Sequence, residues 1–147
     1  MIVLVSGTVN AQDCEPTNHI YIGGGIGGGS SETHDGFVAG LKAGYATKIL
    51  GFDLSMLSFP SPSAPTLFAG HITKPFFTGN TKITLGAGAA YNLLTNDDKS
   101  NNGWRGSAYF EVTKLLGYSN AAYYGRISVT GTNFALTVGL EGIFKKY

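Results

Sequence analysis

The chain has 147 residues, of which 13% are charged, 12% are aromatic and 22 are glycine, and its formal net charge is +1. That length fits one domain, and so small a net charge gives no electrostatic basis for binding nucleic acid. No window of about 18 apolar residues predicts a membrane-spanning helix, and the single cysteine, Cys14, excludes an internal disulfide and a zinc site made of cysteines.

The start of the chain has features of a processed leader. Residues 2–5 are apolar, and Val9-Asn10-Ala11 offers small residues at the spacing that signal peptidase cleaves. A basic start and a long apolar core are both missing, so a signal peptide truncated at its front (1–11) competes with a weakly paired N-terminus. On the first interpretation, residues 12–17 form a short N-terminal segment and residues 18–147 form the folded domain.

Residues after 17 alternate between apolar side chains and small or polar ones with a period of two, which predicts β-strands. Eight strands are predicted, at 18–27, 36–46, 50–58, 66–74, 81–94, 103–115, 121–130 and 133–144. Longer polar segments at 28–35, 59–65 and 95–102 alternate with short turns at 47–49, 78–80 and 117–120, and 131–132 joins the last two strands. Pro75 is expected to end the fourth strand, because proline donates no ladder hydrogen bond.

The eighth strand shows the pattern most clearly. Phe134, Leu136, Val138 and Leu140 share one face, and the strand is about as long as a tilted strand that crosses a bilayer. Connections this short allow only antiparallel neighbours, and an open sheet would leave two unpaired edges, which closure removes. We therefore predict an all-β fold, a closed antiparallel up-and-down eight-stranded transmembrane β-barrel.

The charges indicate which face of each strand points inward. A soluble surface is about 25–35% charged, whereas seven of the strand charges here lie opposite the apolar face, among small residues, and the apolar face carries almost no charge. That composition suits the interior of a small barrel, which side chains fill. The predicted polar network of the lumen is Lys42, Asp53, His71, Lys82, Arg105, Tyr109, Glu111, Tyr124, Arg126 and Glu141. The predicted lipid-facing aromatics are Phe37, Tyr45, Phe52, Tyr91, Trp104, Phe110, Tyr123, Phe134 and Phe144.

In strand count, in loops alternating with turns and in its aromatic strand ends, the segment 18–147 resembles the small outer-membrane β-barrels of the outer-membrane protein A transmembrane-domain and outer-membrane protein X type. The resemblance implies a place in the outer membrane of a Gram-negative bacterium, with both termini periplasmic and the loops at 28–35, 59–65, 95–102 and 131–132 extracellular. It also implies a final aromatic read by the barrel-assembly machinery. Here Tyr147 ends the chain on the lumen-facing parity and Phe144 has the lipid-facing one.

The functional prediction is a non-enzymatic structural or surface barrel whose partners are membrane lipids, the assembly machinery and an extracellular ligand bound through the loops. No cofactor and no metal site are predicted. Three alternatives stay open: a narrow pore, a soluble lipocalin-like carrier and a lipid-modifying enzyme. For an enzyme, His71 is the candidate base, with Ser55, Ser107 or Ser128 as nucleophile. The His-x-Ser-Asn motif of lipid A deacylases finds its nearest match in 117–120, where glycine replaces histidine.

Two further motifs are weak. Residues 23–28 contain G-x-G-x-x-G, but a polar loop follows where dinucleotide binding requires a helix, so close strand packing explains the glycines better. Glu32, His34 and Asp35 offer metal-ligand types within one loop, a spacing common by chance, and are expected to be solvated.

Overall fold

The computed structural model describes residues 18–31, 35–59, 66–93, 103–116 and 120–145. Outside them lie the predicted signal peptide, the segment 12–17, Glu32, His34, residues 60–65 and 94–102, most of the predicted turn at 117–120, and Tyr147. The described residues form eight strands: β1 His19–Ser30, β2 Asp35–Ala46, β3 Gly51–Ser58, β4 Thr66–Thr78, β5 Thr81–Leu93, β6 Gly103–Leu115, β7 Ala121–Thr130 and β8 Asn133–Lys145. Each strand pairs with the next and β8 pairs with β1. The predicted closed antiparallel barrel is confirmed.

The register gives the barrel its tilt. A walk across the ladders from Ile20 passes Tyr45, Phe52, Ile72, Ala87, Ala108, Val129 and Phe134, and returns to β1 at Ser30. The return point is ten residues further along β1 than the start. Because closure of a barrel links shear to strand tilt, the strands incline by roughly 40° to the barrel axis. We call the end that holds His19 and Lys145 the terminus end, and the opposite end the loop end.

Side chains alternate between the lumen and the outer wall along every strand. In β8, Phe134 and Leu136 are exposed on the wall, while Ala135 and Thr137 are buried inside. The exposed side chains of the wall are mostly large and apolar, whereas the buried side chains are largely polar or charged. Within the described residues, no helix is long and apolar enough to cross a membrane.

Two predicted strand ends were wrong by more than one residue, and the others lie within one residue of prediction. β1 continues through Gly28 and Gly29 to Ser30, which pairs with Asp35, so the connection to β2 is shorter than predicted. β4 continues through Pro75 to Thr78. Its pairing with β3 stops at Thr73, opposite Gly51, so Pro75 lies in a stretch with a partner on one side only, the kind of edge position that accepts proline. β8 extends one residue beyond prediction, to Lys145.

Candidate functional site

The site lies in the lumen, where side chains distant in sequence meet. One row of directly paired residues runs across the ladders from Tyr21 through Gly44, Asp53, His71, Gly88 and Ser107 to Thr130. Two glycines, Gly44 and Gly88, lie among the polar side chains of this row. A Cβ on Gly44 would collide with the Tyr21 ring, and a Cβ on Gly86, on the same face of β5 as Gly88, would collide with the Tyr109 ring. Gly44 and Gly86 therefore make room for the rings that fill the lumen.

Arg126 on β7 is the centre of the ion-pair network. Its two terminal nitrogens donate to the two carboxylate oxygens of Asp53 at 3.0 Å each, and its Nε donates to Glu111 Oε2 at 2.6 Å. Asp53 Oδ2 also accepts a 2.8 Å hydrogen bond from the Tyr21 hydroxyl. The forked pairing fixes the guanidinium plane and satisfies both acidic groups.

Two lysines extend the network towards the terminus end. Lys42 Nζ lies 2.8 Å from Glu111 Oε2 and 2.5 Å from Glu141 Oε2. Lys82 Nζ lies 3.6 Å from the other oxygen of Glu141. Thr113 donates to Glu111 Oε1 at 3.1 Å, which completes the partners of that carboxylate.

The network is electrically balanced. Three cations, Lys42, Lys82 and Arg126, face three carboxylates, Asp53, Glu111 and Glu141, and all six residues are buried. Buried charges are tolerated only when they are paired and hydrogen-bonded. Aromatic faces cover the cations as well.

Tyr109 and Tyr124 are those aromatic faces. The Arg126 guanidinium carbon lies 3.8 Å from the Tyr109 ring centroid, and Lys42 Nζ lies 3.7 Å from the Tyr124 ring centroid. Both distances are within the range of cation–π attraction. Each tyrosine therefore packs against a cation of the network as well as filling the lumen.

His71 connects the network to the loop end. Its Nδ1 lies 3.5 Å from Asp53 Oδ1, its Nε2 is 2.8 Å from Ser107 Oγ, and Ser107 Oγ is 3.0 Å from Thr130 Oγ1. Asp53, His71 and Ser107 thus stand in the order of a nucleophile triad. However, Asp53 is engaged by Arg126 and Tyr21, and its distance to the imidazole is too long for a firm hydrogen bond. The other two candidate nucleophiles, Ser55 and Ser128, form no hydrogen bond with His71, whose described side-chain partners are Ser107 and Asp53.

Arg105 corrects the predicted network. It has the inward parity of β6, yet it is exposed at the loop end, where its side chain lies beside Gly131 of the β7–β8 turn. Arg105 is only the third residue of β6, so its long side chain reaches solvent beyond the rim. It makes no ion pair with a described residue.

Sequence reasoning missed an apolar layer inside the loop end. Val38, Phe59, Leu67 and Ala135 are at most 3% exposed and form a hydrophobic cluster, with Leu57 packed against it. All but Phe59 lie at inward positions near the loop ends of β2, β3, β4 and β8. The parity of these residues in the sequence was the available indication. The charged residues of the lumen do not by themselves indicate this apolar layer.

The predicted lipid-facing aromatics lie on the outer wall. Phe37, Tyr91, Trp104 and Phe134 are near the strand ends of the loop end, as is Phe68, which the prediction did not include. Tyr45, Phe52, Tyr123 and Phe144 are near the terminus end, as is Phe76, which was also omitted. Phe110 lies between the two groups. Tyr91 is half-buried because its ring meets the Trp104 ring edge-to-face at 5.4 Å.

No site for a metal or dinucleotide is visible in the described part of the chain. No group of three or more potential metal ligands of the His, Cys, Asp or Glu type occurs among the described residues. The glycine motif at 23–28 lies within β1, and β2 follows it where a dinucleotide site needs a helix.

No protein-family model matches the chain, and no curated protein matches it in sequence. Solved structures do match its fold. The N-terminal β-barrel domain of OprF from Pseudomonas aeruginosa superposes with a TM-score of 0.67 at 16% identity, covering 88% of this chain and 100% of that one. Neisserial surface protein A superposes with a TM-score of 0.55 at 16% identity, covering 85% and 96%. The fold is therefore that of the small eight-stranded outer-membrane barrels.

Proposed function

We propose that this chain is a transmembrane β-barrel of the outer membrane of a Gram-negative bacterium, with a structural and surface-interaction role. The observation that carries the proposal is the outer wall, where 24 large hydrophobic side chains of the strands are at least 37% exposed. A monomer in water rarely exposes a continuous apolar surface of this kind. Aromatic girdles at both ends of an apolar band match the two interfaces of a bilayer.

The lumen supports the same proposal. A soluble carrier of the lipocalin type would bury its apolar faces and expose its charges, whereas here the paired charges are inside. A closed barrel leaves no open sheet edge along the band that would lie in the bilayer, where no water is present to bond with unpaired backbone groups. Membrane lipids, and the barrel-assembly machinery during insertion, are the partners that follow from this setting.

A structural role is favoured over a pore. The apolar layer at the loop end and the balanced ion-pair network below it lie in series along the lumen, and each opposes the passage of a hydrated ion. We expect planar-bilayer recordings of the purified barrel to show no discrete conductance steps. Reproducible steps that change when Arg126 is replaced would favour the narrow pore instead.

A surface role rests on the loop end. The segment 95–102 is polar and charged, and β5 and β6 deliver it to the end of the barrel opposite the termini. Replacing 95–102 by a Gly-Ser linker of equal length should leave membrane insertion intact and remove binding to a surface partner or protection of the envelope. If every such phenotype survives replacement of both 95–102 and 31–34, the loops do not carry the function.

The experiment that tests the membrane assignment is electrophoresis of the membrane-extracted chain in SDS with and without boiling. A closed barrel resists SDS until heated and migrates faster than its boiled form. We expect that shift in protein recovered from the outer-membrane fraction. Recovery in the soluble fraction with no shift would contradict the proposal and return the carrier alternative.

A further inference from the structure

Three exposed lysines lie at the terminus end of the barrel, on the side formed by β2 to β6. Lys48 lies in the turn between β2 and β3, Lys74 lies on the wall of β4, and Lys114 is the next-to-last residue of β6. We call these three residues the basic belt. Lys114 pairs with Tyr123, Lys74 lies two residues from Phe76 on the same face of β4, and Lys48 follows Tyr45 by three residues.

Two of the three lysines lie beside aromatic side chains of the outer wall. Lys74 lies between the exposed side chains of Ile72 and Phe76, and its Nζ is 6.0 Å from the Phe76 ring centroid. Phe76 is nearer the terminus end, so the ammonium group extends away from the apolar band. Lys114 pairs directly with Tyr123 across the β6–β7 ladder. Lysines at the edge of a hydrocarbon region snorkel in this way, with the stem on apolar surface and the charge outside it.

The belt has no acidic counterpart nearby among the described residues. Asp53, Glu111 and Glu141 are inside the lumen, and Asp35, the one exposed carboxylate of the described residues, is at the loop end, where Ser30 donates to it. None of the three belt lysines forms an ion pair with a described residue. The exposed charge of the described wall is therefore positive at the terminus end.

We infer that the basic belt binds the phosphate groups of anionic phospholipids in the leaflet at the terminus end. This inference rests on the proposed membrane location and adds an orientation to it. Basic residues close to an anionic lipid surface each strengthen binding on the order of fivefold, the factor equivalent to about 1 kcal/mol. Three lysines spread along one rim can contact several lipid headgroups at once, whereas a single compact anion could not reach all three.

The test compares vesicles of phosphatidylcholine with vesicles in which part of that lipid is replaced by phosphatidylglycerol. The chain is folded into both, and urea unfolding is followed at low salt by the loss of the heat-modifiable band. We expect the folded-to-unfolded ratio to be higher in the anionic vesicles, by tenfold or more. The advantage should decline as salt is added, because the belt is exposed and screened.

Two variants test whether the basic belt causes the higher stability in anionic vesicles. The triple variant Lys48→Gln, Lys74→Gln, Lys114→Gln should fold in both lipids and lose most of the advantage in anionic vesicles. The matched control Arg105→Gln removes an exposed cation at the loop end, and this variant should keep the stability advantage in anionic vesicles. An equal advantage in the triple variant and in the unmodified chain would overturn the inference.

The salt series on the unmodified chain decides the matter if the triple variant does not fold. A stability advantage in anionic vesicles that does not respond to salt would also overturn the inference that the basic belt binds lipid phosphates. The absence of any advantage would overturn it too. Folding in both lipids without a preference leaves the proposed membrane barrel standing. Failure to insert into either lipid would contradict the membrane barrel itself.

Discussion

Glu111 and Arg126 are directly paired across the β6–β7 ladder, and Arg126 Nε donates a 2.6 Å hydrogen bond to Glu111 Oε2. The same guanidinium spans the lumen to hold both oxygens of Asp53 on β3. One side chain thus connects strands on opposite sides of the barrel. The ion-pair network around Arg126 fills the lumen and connects strands across the barrel.

Arg126→Met tests that role. The change leaves Asp53 and Glu111 with fewer positive partners in a buried setting, so we expect the free energy of unfolding to fall by about 3–5 kcal/mol. Urea unfolding in lipid vesicles measures it. Arg105→Met is the control, because Arg105 is exposed at the rim and its replacement should change the free energy by less than about 0.5 kcal/mol. Equal losses in the two variants would show that the network does not stabilise the barrel.

A second change on the Arg126→Met background checks the charge balance. Adding Asp53→Asn removes the carboxylate that paired with Arg126 and restores equal numbers of cations and anions in the lumen. We expect part of the lost stability to return, since neighbouring members of one network are not additive. Strictly additive losses, measured in the same unfolding experiment, would argue that the two residues are energetically independent.

Gly86→Ala tests how tightly the lumen is filled. A Cβ at this position would collide with the Tyr109 ring, so we expect a loss of about 1–3 kcal/mol through overpacking. Gly106→Ala is the matched control, because nothing lies within 4 Å of a Cβ there. Thermal loss of the heat-modifiable form compares the two variants. A tolerated alanine at position 86 would mean that the Tyr109 ring has room to move.

Leu67→Ala and Leu136→Ala separate the inside of the barrel from the outside. Leu67 is 3% exposed in the apolar layer, whereas Leu136 is 47% exposed on the wall. Truncating a buried leucine leaves a cavity and costs about 2–5 kcal/mol, and lipid can fill the space left on the wall. We expect the first variant to lose clearly more stability in vesicles. The reverse order would indicate that the two faces are assigned the wrong way round.

Ser107 is expected to be unreactive. It is buried, its hydroxyl also contacts Thr130, and Asp53 is held by Arg126 rather than by His71. A fluorophosphonate probe, which labels activated serines, should not label the folded barrel. Labelling that disappears in Ser107→Ala would overturn this prediction and support a hydrolase.

Much of this architecture could be predicted from the sequence. The period of two placed Lys42, Asp53 and Glu141 on the inner face, because parity alone decides the face in an antiparallel barrel. Which cation meets which carboxylate was not predictable. Those contacts depend on the ten-residue shear, which brings Asp53 within reach of Arg126, 73 positions later in the chain.

The errors have local physical causes. Pro75 was expected to end β4, but it lies where β4 has lost its β3 neighbour. Arg105 was assigned by parity, which gives direction but not depth, and the end of β6 is shallow enough for its side chain to reach solvent. The apolar layer was not predicted because the inner face was interpreted through its polar and charged residues, and Val38 and Leu67 were given no role.

Trp104 provides the most direct test of the central claim that the wall faces lipid. It is the only tryptophan in the chain, it is 72% exposed, and it lies in the girdle of the loop end. Its fluorescence should shift to shorter wavelength on insertion into vesicles and be quenched by lipids brominated near the headgroup more than by lipids brominated near the chain end. Emission typical of water, with no quenching by either lipid, would contradict the account.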